Sequence, residues 1–109
     1  MELDYTAPSV QVVDEILDEL RRDEVPLEDI AETLFGFGCY VGEVMVRNSQ
    51  GSWRSRLGRI EHEIYEFPFV IQLSGSRSCD PIGKAFKRFK NGSEDSLMYF
   101  YTIFCGGLA

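Results

Sequence analysis

The chain has 109 residues, with 18 acidic and 11 basic side chains and a formal net charge of −7. Its hydrophobic content of 44% and aromatic content of 13% fit a folded globule and exclude global disorder. This length predicts one domain over residues 1–109, and the order of its helices and strands makes that domain α+β.

The charge is unevenly spread. Residues 1–45 hold twelve acids and two bases, a balance of −10, whereas residues 46–109 hold six acids and nine bases, a balance of +3. Non-specific affinity for nucleic acid is disfavoured by the net charge. The start, Met1-Glu2-Leu3-Asp4-Tyr5, lacks the basic and apolar regions of a signal peptide. The longest apolar stretch, Leu34 to Val46, spans 13 residues and contains Glu43, too short to cross a bilayer. Three cysteines (Cys39, Cys79, Cys105) at no metal-like spacing predict reduced thiols in a cytoplasmic protein.

In chain order, Val10, Val13, Ile16, Leu17 and Leu20 recur at helical spacing and predict an amphipathic helix over 9–22. Thr6 and Ser9 are its cap candidates, and Pro8 suits a first turn. A second helix is expected from about Pro26 to Asn48, with Glu28 and Asp29 placed against its positive end. From Leu34 onward this helix is apolar nearly all round, which predicts a central, buried element. Gly36, Gly38 and Gly42 interrupt it, and a helix tolerates such residues where another element approaches its backbone closely.

Ser52–Arg56 and Phe69–Ser74 read as strands, with Ser74-Gly75-Ser76 turning into a short strand at Arg77–Cys79. Residues 57–66 suit either a half-exposed edge strand or a charged loop. Asp80-Pro81 then marks a helix start that Asn91-Gly92 closes. Ser93 is the expected cap of a last helix, whose inner face carries Leu97, Met98, Tyr101 and Phe104. The predicted fold is thus two N-terminal helices, a small antiparallel sheet of three to four strands, and two C-terminal helices.

Two motifs carry a resemblance. Gly42-Glu43-Val44-Met45-Val46-Arg47 with Gly51-Ser52-Trp53, and Asp80-Pro81-Ile82-Gly83-Lys84 continuing through Lys87-Arg88 to Asn91-Gly92, resemble a signature of small bacterial domains of unknown function. The likeness covers about residues 30–104 and implies an α+β fold with a small antiparallel sheet against a central helix. It brings no activity, and the charged stretch 57–66 is longer than the pattern.

The chemistry-bearing groups are few. Glu43 and Arg47 stand four apart in the favourable order for a helical ion pair, with Trp53 a candidate cover. With Asp80 they make either a structural joint or an alternative pocket for a small ligand or a reaction. The glycine run 36–42 lacks phosphate-loop spacing and is expected inside a helix. His62, the only histidine, is a poor zinc ligand alone, and Cys79 beside Asp80 is a poor thiolate, so neither a metal, a cofactor nor a catalytic residue is assigned. Lys84, Lys87, Arg88 and Lys90, with Arg54, Arg56 and Arg59, are expected to form a basic outer face. Asp14, Glu15, Asp18, Glu19, Asp23 and Glu24, continued by Glu28, Asp29 and Glu32, form a dense acidic one.

The acidic face points to a non-enzymatic binding protein docking on a cationic protein surface. An immunity or inhibitor protein that covers a toxin's basic cleft is the expected type. The alternatives are a small-ligand or enzyme domain built on Glu43, Arg47, Trp53 and Asp80, a basic-patch binder of nucleic acid, and self-association through opposite faces.

Overall fold

The computed structural model describes residues 3–55, 69–73 and 77–106. Four helices and a three-stranded antiparallel sheet make an α+β fold: α1 Ala7–Arg22, α2 Leu27–Arg47, β1 Ser52–Ser55, β2 Phe69–Gln72, β3 Ser78–Cys79, α3 Pro81–Asn91 and α4 Leu97–Cys105. The expected edge strand or loop at 57–66, with His62, and the expected turn at 74–76 lie outside the described residues. Among those described, no helix is long and apolar enough to cross a membrane.

α1 forms where the apolar spacing places it, and its inner stripe of Val10, Val13 and Leu17 is fully buried. Thr6 takes the cap position without a side-chain hydrogen bond, while the Ser9 hydroxyl turns back to the Thr6 carbonyl at 2.6 Å. α2 begins after Pro26 and departs from helical geometry at Ile30 (φ −129°, ψ 17°), so its regular run starts at Ala31. Leu34, Val41, Val44 and Met45 are fully buried against the other elements.

α2 packs most extensively on α3, with Gly38 permitting that approach and Gly42 making room for Trp53 of β1. A methyl group at Gly38 would collide with the Ile82 backbone, and one at Gly42 would collide with the Trp53 ring. The expectation of close packing at these positions is met. Gly36 differs, because among the described residues nothing lies within 4 Å of where its side chain would stand. Phe35 beside it is 39% exposed. The expectation that this half of α2 is buried all round is therefore corrected: the helix packs toward α1, α3 and the sheet, and on its remaining side Phe35 and Gly36 are exposed.

The sheet order is β1-β2-β3, with Trp53 opposite Ile71, Ser55 opposite Phe69, and Ile71 opposite Cys79. Residues paired directly across strands share a face. Trp53, Ile71 and Phe69 accordingly lie on one side of the sheet, with Ile71 in the core and Phe69 at its margin.

α3 starts as its sequence demands: Pro81 takes the first position, and the Asp80 carboxylate accepts the Gly83 N–H at 2.8 Å. The start of α4 is a correction. Ser93 opens a short 3-10 turn (Ser93–Asp95), and Ser96 caps α4, its hydroxyl accepting the Tyr99 N–H at 3.1 Å.

Candidate functional site

The predicted acidic face divides into carboxylates that hold the fold and carboxylates that face solvent. Asp14 belongs to the first group. It is 3% exposed and accepts hydrogen bonds from Arg88 Nε (2.8 Å), the Leu97 N–H (2.8 Å), the Met98 N–H (3.0 Å) and the Ser96 hydroxyl (3.2 Å). The first N–H groups of a helix have no partner within the helix, and a negative charge there is favoured by the helix dipole. One carboxylate from α1 thus caps α4 across the core. Its assignment to a partner-binding face is corrected, because its oxygens are committed inside the protein.

Arg88 corrects the opposite expectation. Its side chain is only 3% exposed, and Nη2 donates to Asp18 (2.8 Å) and to the Asp14 carbonyl (3.1 Å). Burial opposes its charge, yet the hydrogen bonds it donates to Asp18 and Asp14 outweigh that and raise its pKa above the ordinary arginine value. Asp18 closes this network from the half-exposed side. Lys84 leaves the basic face as well, pairing with Asp95 at 2.7 Å, to which Asn91 also donates. Arg54, Lys87 and Lys90 remain outward, while Arg56 and Arg59 lie outside the described residues. Arg21 reaches the other end of α3 and donates to the Phe89 carbonyl at 3.0 Å.

Glu15, Glu19, Asp23, Glu24, Glu28, Asp29 and Glu32 form the second group. All seven are exposed, and among the described residues none of them forms an ion pair.

The open side of α2 borders a groove of about 650 Å³. Phe35, Gly36, Cys39, Tyr40 and Glu43 line it from α2, with Trp53 from β1, Phe69 from β2, Ile82 from α3 and Tyr5 from the segment before α1. The Glu43 carboxylate takes Arg47 Nε at 3.2 Å and the Trp53 indole N–H at 3.3 Å. The predicted Glu43–Arg47–Trp53 grouping is therefore real, and Glu43 keeps 36% of its side chain exposed. Asp80 does not join them; capping α3 occupies it, and its neighbour Ile82 lines the groove instead.

Tyr5 was not anticipated. Its backbone is left-handed (φ 65°), a region where non-glycine residues are uncommon. Two hydrogen bonds hold it there: its N–H donates to the Tyr40 hydroxyl (2.8 Å), and its carbonyl accepts from Asn48 (3.0 Å). The Tyr40 hydroxyl also meets the Ser9 hydroxyl at 2.6 Å, and since Ser9 gives its hydrogen to Thr6, Tyr40 is the donor. The Tyr5 ring lies 4.8 Å from the Tyr40 ring, and the Arg47 guanidinium lies 3.8 Å from the Tyr5 centroid.

The thiols are poorly suited to nucleophilic work. Burial pushes Cys79 up to about 12 and raises Cys39 and Cys105 as well. Among the described residues, no three His, Cys, Asp or Glu side chains are grouped to hold a metal ion.

No protein-family model, curated relative or solved structure matches the chain. The likeness drawn on its two motifs therefore rests on those residues alone. Much of both motifs has an architectural account: Glu43 joins Arg47 to Trp53, Asp80 caps α3, Lys84 and Asn91 hold Asp95, and Arg88 holds Asp14 and Asp18.

Proposed function

We propose that this is a small non-enzymatic binding protein that docks on the basic surface of a protein partner. An immunity or inhibitor protein covering a toxin's cationic cleft is the type it fits. One observation carries this reading: a single face of α2 bears both exposed carboxylates and the aromatic groove. Glu32 precedes Phe35 by three residues and Gly36 by four, so it projects along the same side of the helix. Glu15, Glu19 and Asp23 on α1 and its end, with Glu24, Glu28 and Asp29 after them, are exposed as well. Interfaces gain their affinity from aromatic anchors in pockets and their steering from complementary charge. The raised thiols fit a role without covalent chemistry, and three unpaired cysteines fit the reducing cytoplasm.

The test begins with affinity capture from the native lysate and identification of the bound protein. Binding of the purified partner should weaken at least tenfold for E19K/D23K, and should fall steeply as salt rises from about 50 to about 500 mM. A partner whose affinity ignores both changes overturns the proposal.

The groove also favours a second reading, a site for a small apolar ligand around Glu43 and Trp53. Its volume of about 650 Å³ lies within the range of small-molecule sites. Asp80, which that reading also used, has no part in it.

A further inference from the structure

The groove margin already binds one cation, and that cation is the chain's own. Arg47 stacks its guanidinium 3.8 Å from the Tyr5 centroid while its Nε meets Glu43 at 3.2 Å. Its side chain is nevertheless 52% exposed. Solvent-exposed pairs between residues four apart on a helix are among the weakest ion pairs, so this contact is readily exchanged.

Both receiving groups are held by contacts independent of Arg47. Tyr5 sits in a left-handed conformation, which persists only where the surroundings enforce it. The Tyr40 hydroxyl and the Asn48 amide supply that enforcement. On the other side, the Trp53 indole fixes one oxygen of Glu43. Each carboxylate oxygen can accept more than one hydrogen bond, so both retain capacity for a further donor. Beyond them, Phe35 and Phe69, 39% and 46% exposed, offer apolar surface for the stem of a long side chain.

We infer that Tyr5 and Glu43 form a recognition site for an arginine side chain of the protein partner, which Arg47 occupies in the free protein and vacates on binding. The inference rests on the proposed function for the partner's being a basic protein. Charge complementarity selects a cation, since Glu43 is the acidic side chain that lines the groove. Arginine suits the site better than lysine because its plane stacks on an aromatic face while its fork meets a carboxylate. Arg47 is then an internal competitor, and removing it strengthens binding.

Trp53 is the only tryptophan and lines the groove, so its emission reports occupancy directly. The probe is N-acetyl-arginine N-methylamide, with the citrulline counterpart as its uncharged isostere. The arginine probe should change Trp53 emission saturably and the citrulline probe should not. Arg47→Ala should tighten arginine binding at least threefold, and Glu43→Gln should weaken it at least tenfold, with each variant's fold verified by circular dichroism. Equal responses to the two probes, or an R47A variant that binds no tighter than the parent, would overturn the inference. That result leaves the acidic-face reading standing, because charge reversal at Glu19 and Asp23 with the whole partner measures it separately. Conversely, a partner indifferent to those charges, alongside the expected probe behaviour, removes the acidic-face reading and retains the arginine site.

Discussion

Asp14 on α1 and Arg88 on α3 meet at 2.8 Å with both side chains almost wholly removed from solvent. Through the same carboxylate, α1 also holds the N-terminus of α4. α1 thus meets α3 and α4, both far along the chain, at one buried carboxylate. Removing Asp14 strips Arg88 Nε and the first α4 N–H groups of their buried acceptor, while Asp18 still faces Nη2. Loss of one partner in such a buried network costs about 3–5 kcal/mol. Asp14→Ala should therefore lower unfolding stability by about that amount, as read from urea denaturation. The D14A/R88M double variant should lose less than the sum of the two single variants, because it removes both charges together. Additive losses would show that the two side chains are not coupled.

Lys84 and Asp95 make a second, less buried link that predicts a pH effect. Hydrogen bonds from Lys84 and Asn91 hold Asp95 below its usual value of 3.8. The unfolded chain then binds the proton more readily, so stability rises with pH through this window. The contribution is fully present above about 4 and is lost as pH falls through the lowered native value. Asp95→Asn should accordingly cost stability at pH 6, and the gap between variant and parent should narrow toward pH 2.5. Unfolding midpoints measured across that range check the sign.

How much of this was legible in the sequence depends on what each residue's surroundings are. Periodicity located all four helices, because burial of an apolar stripe dominates helix formation. The Asp80-Pro81 start was equally plain, since a cap is local chemistry. Asp14 was misread for the opposite reason: its partners lie more than 70 residues away. A signal was nevertheless present. Asp14 stands between Val10, Val13 and Leu17 on the inner stripe, and Arg88 stands three residues after Ala85 and beside Phe89 on that of α3. A charge of each sign inside an apolar stripe is a candidate buried pair. Tyr5 carried no such signal, because its left-handed backbone is imposed by Tyr40 and Asn48 from α2 and its end.

Cys79 provides a test of the core beneath the sheet. Burial is the main cause that lifts its thiol to about 12, with Cys105 and Asp80 adding to it. Its thiolate fraction at pH 8 is then about one part in 10,000, and the thiolate is the reactive form. In native protein Cys79 should resist Ellman's reagent at pH 8 and react only after addition of denaturant. Rapid native labelling at this position, located by peptide mass mapping, would contradict the burial described for β3.

Gly36 and Gly38 stand two residues apart in α2 and should respond in opposite directions to the same substitution. Glycine inside a helix is less favourable than alanine by up to about 1 kcal/mol, so alanine gains wherever its methyl group finds space. At Gly36 the position opens onto the groove, and among the described residues nothing within 4 Å opposes a methyl group. Gly36→Ala should raise stability by up to about 1 kcal/mol. At Gly38 the methyl group meets the Ile82 backbone, which cannot rotate aside as a flexible side chain could. α3 must shift as a body, carrying the Asp80 cap and the Arg88 network with it, and overpacking of this kind costs about 1–3 kcal/mol. Gly38→Ala should therefore be destabilising despite its better helix propensity. Thermal unfolding of the two variants side by side decides the matter, and a stabilising G38A would show that α2 and α3 do not pack as closely as Gly38 and Ile82 imply.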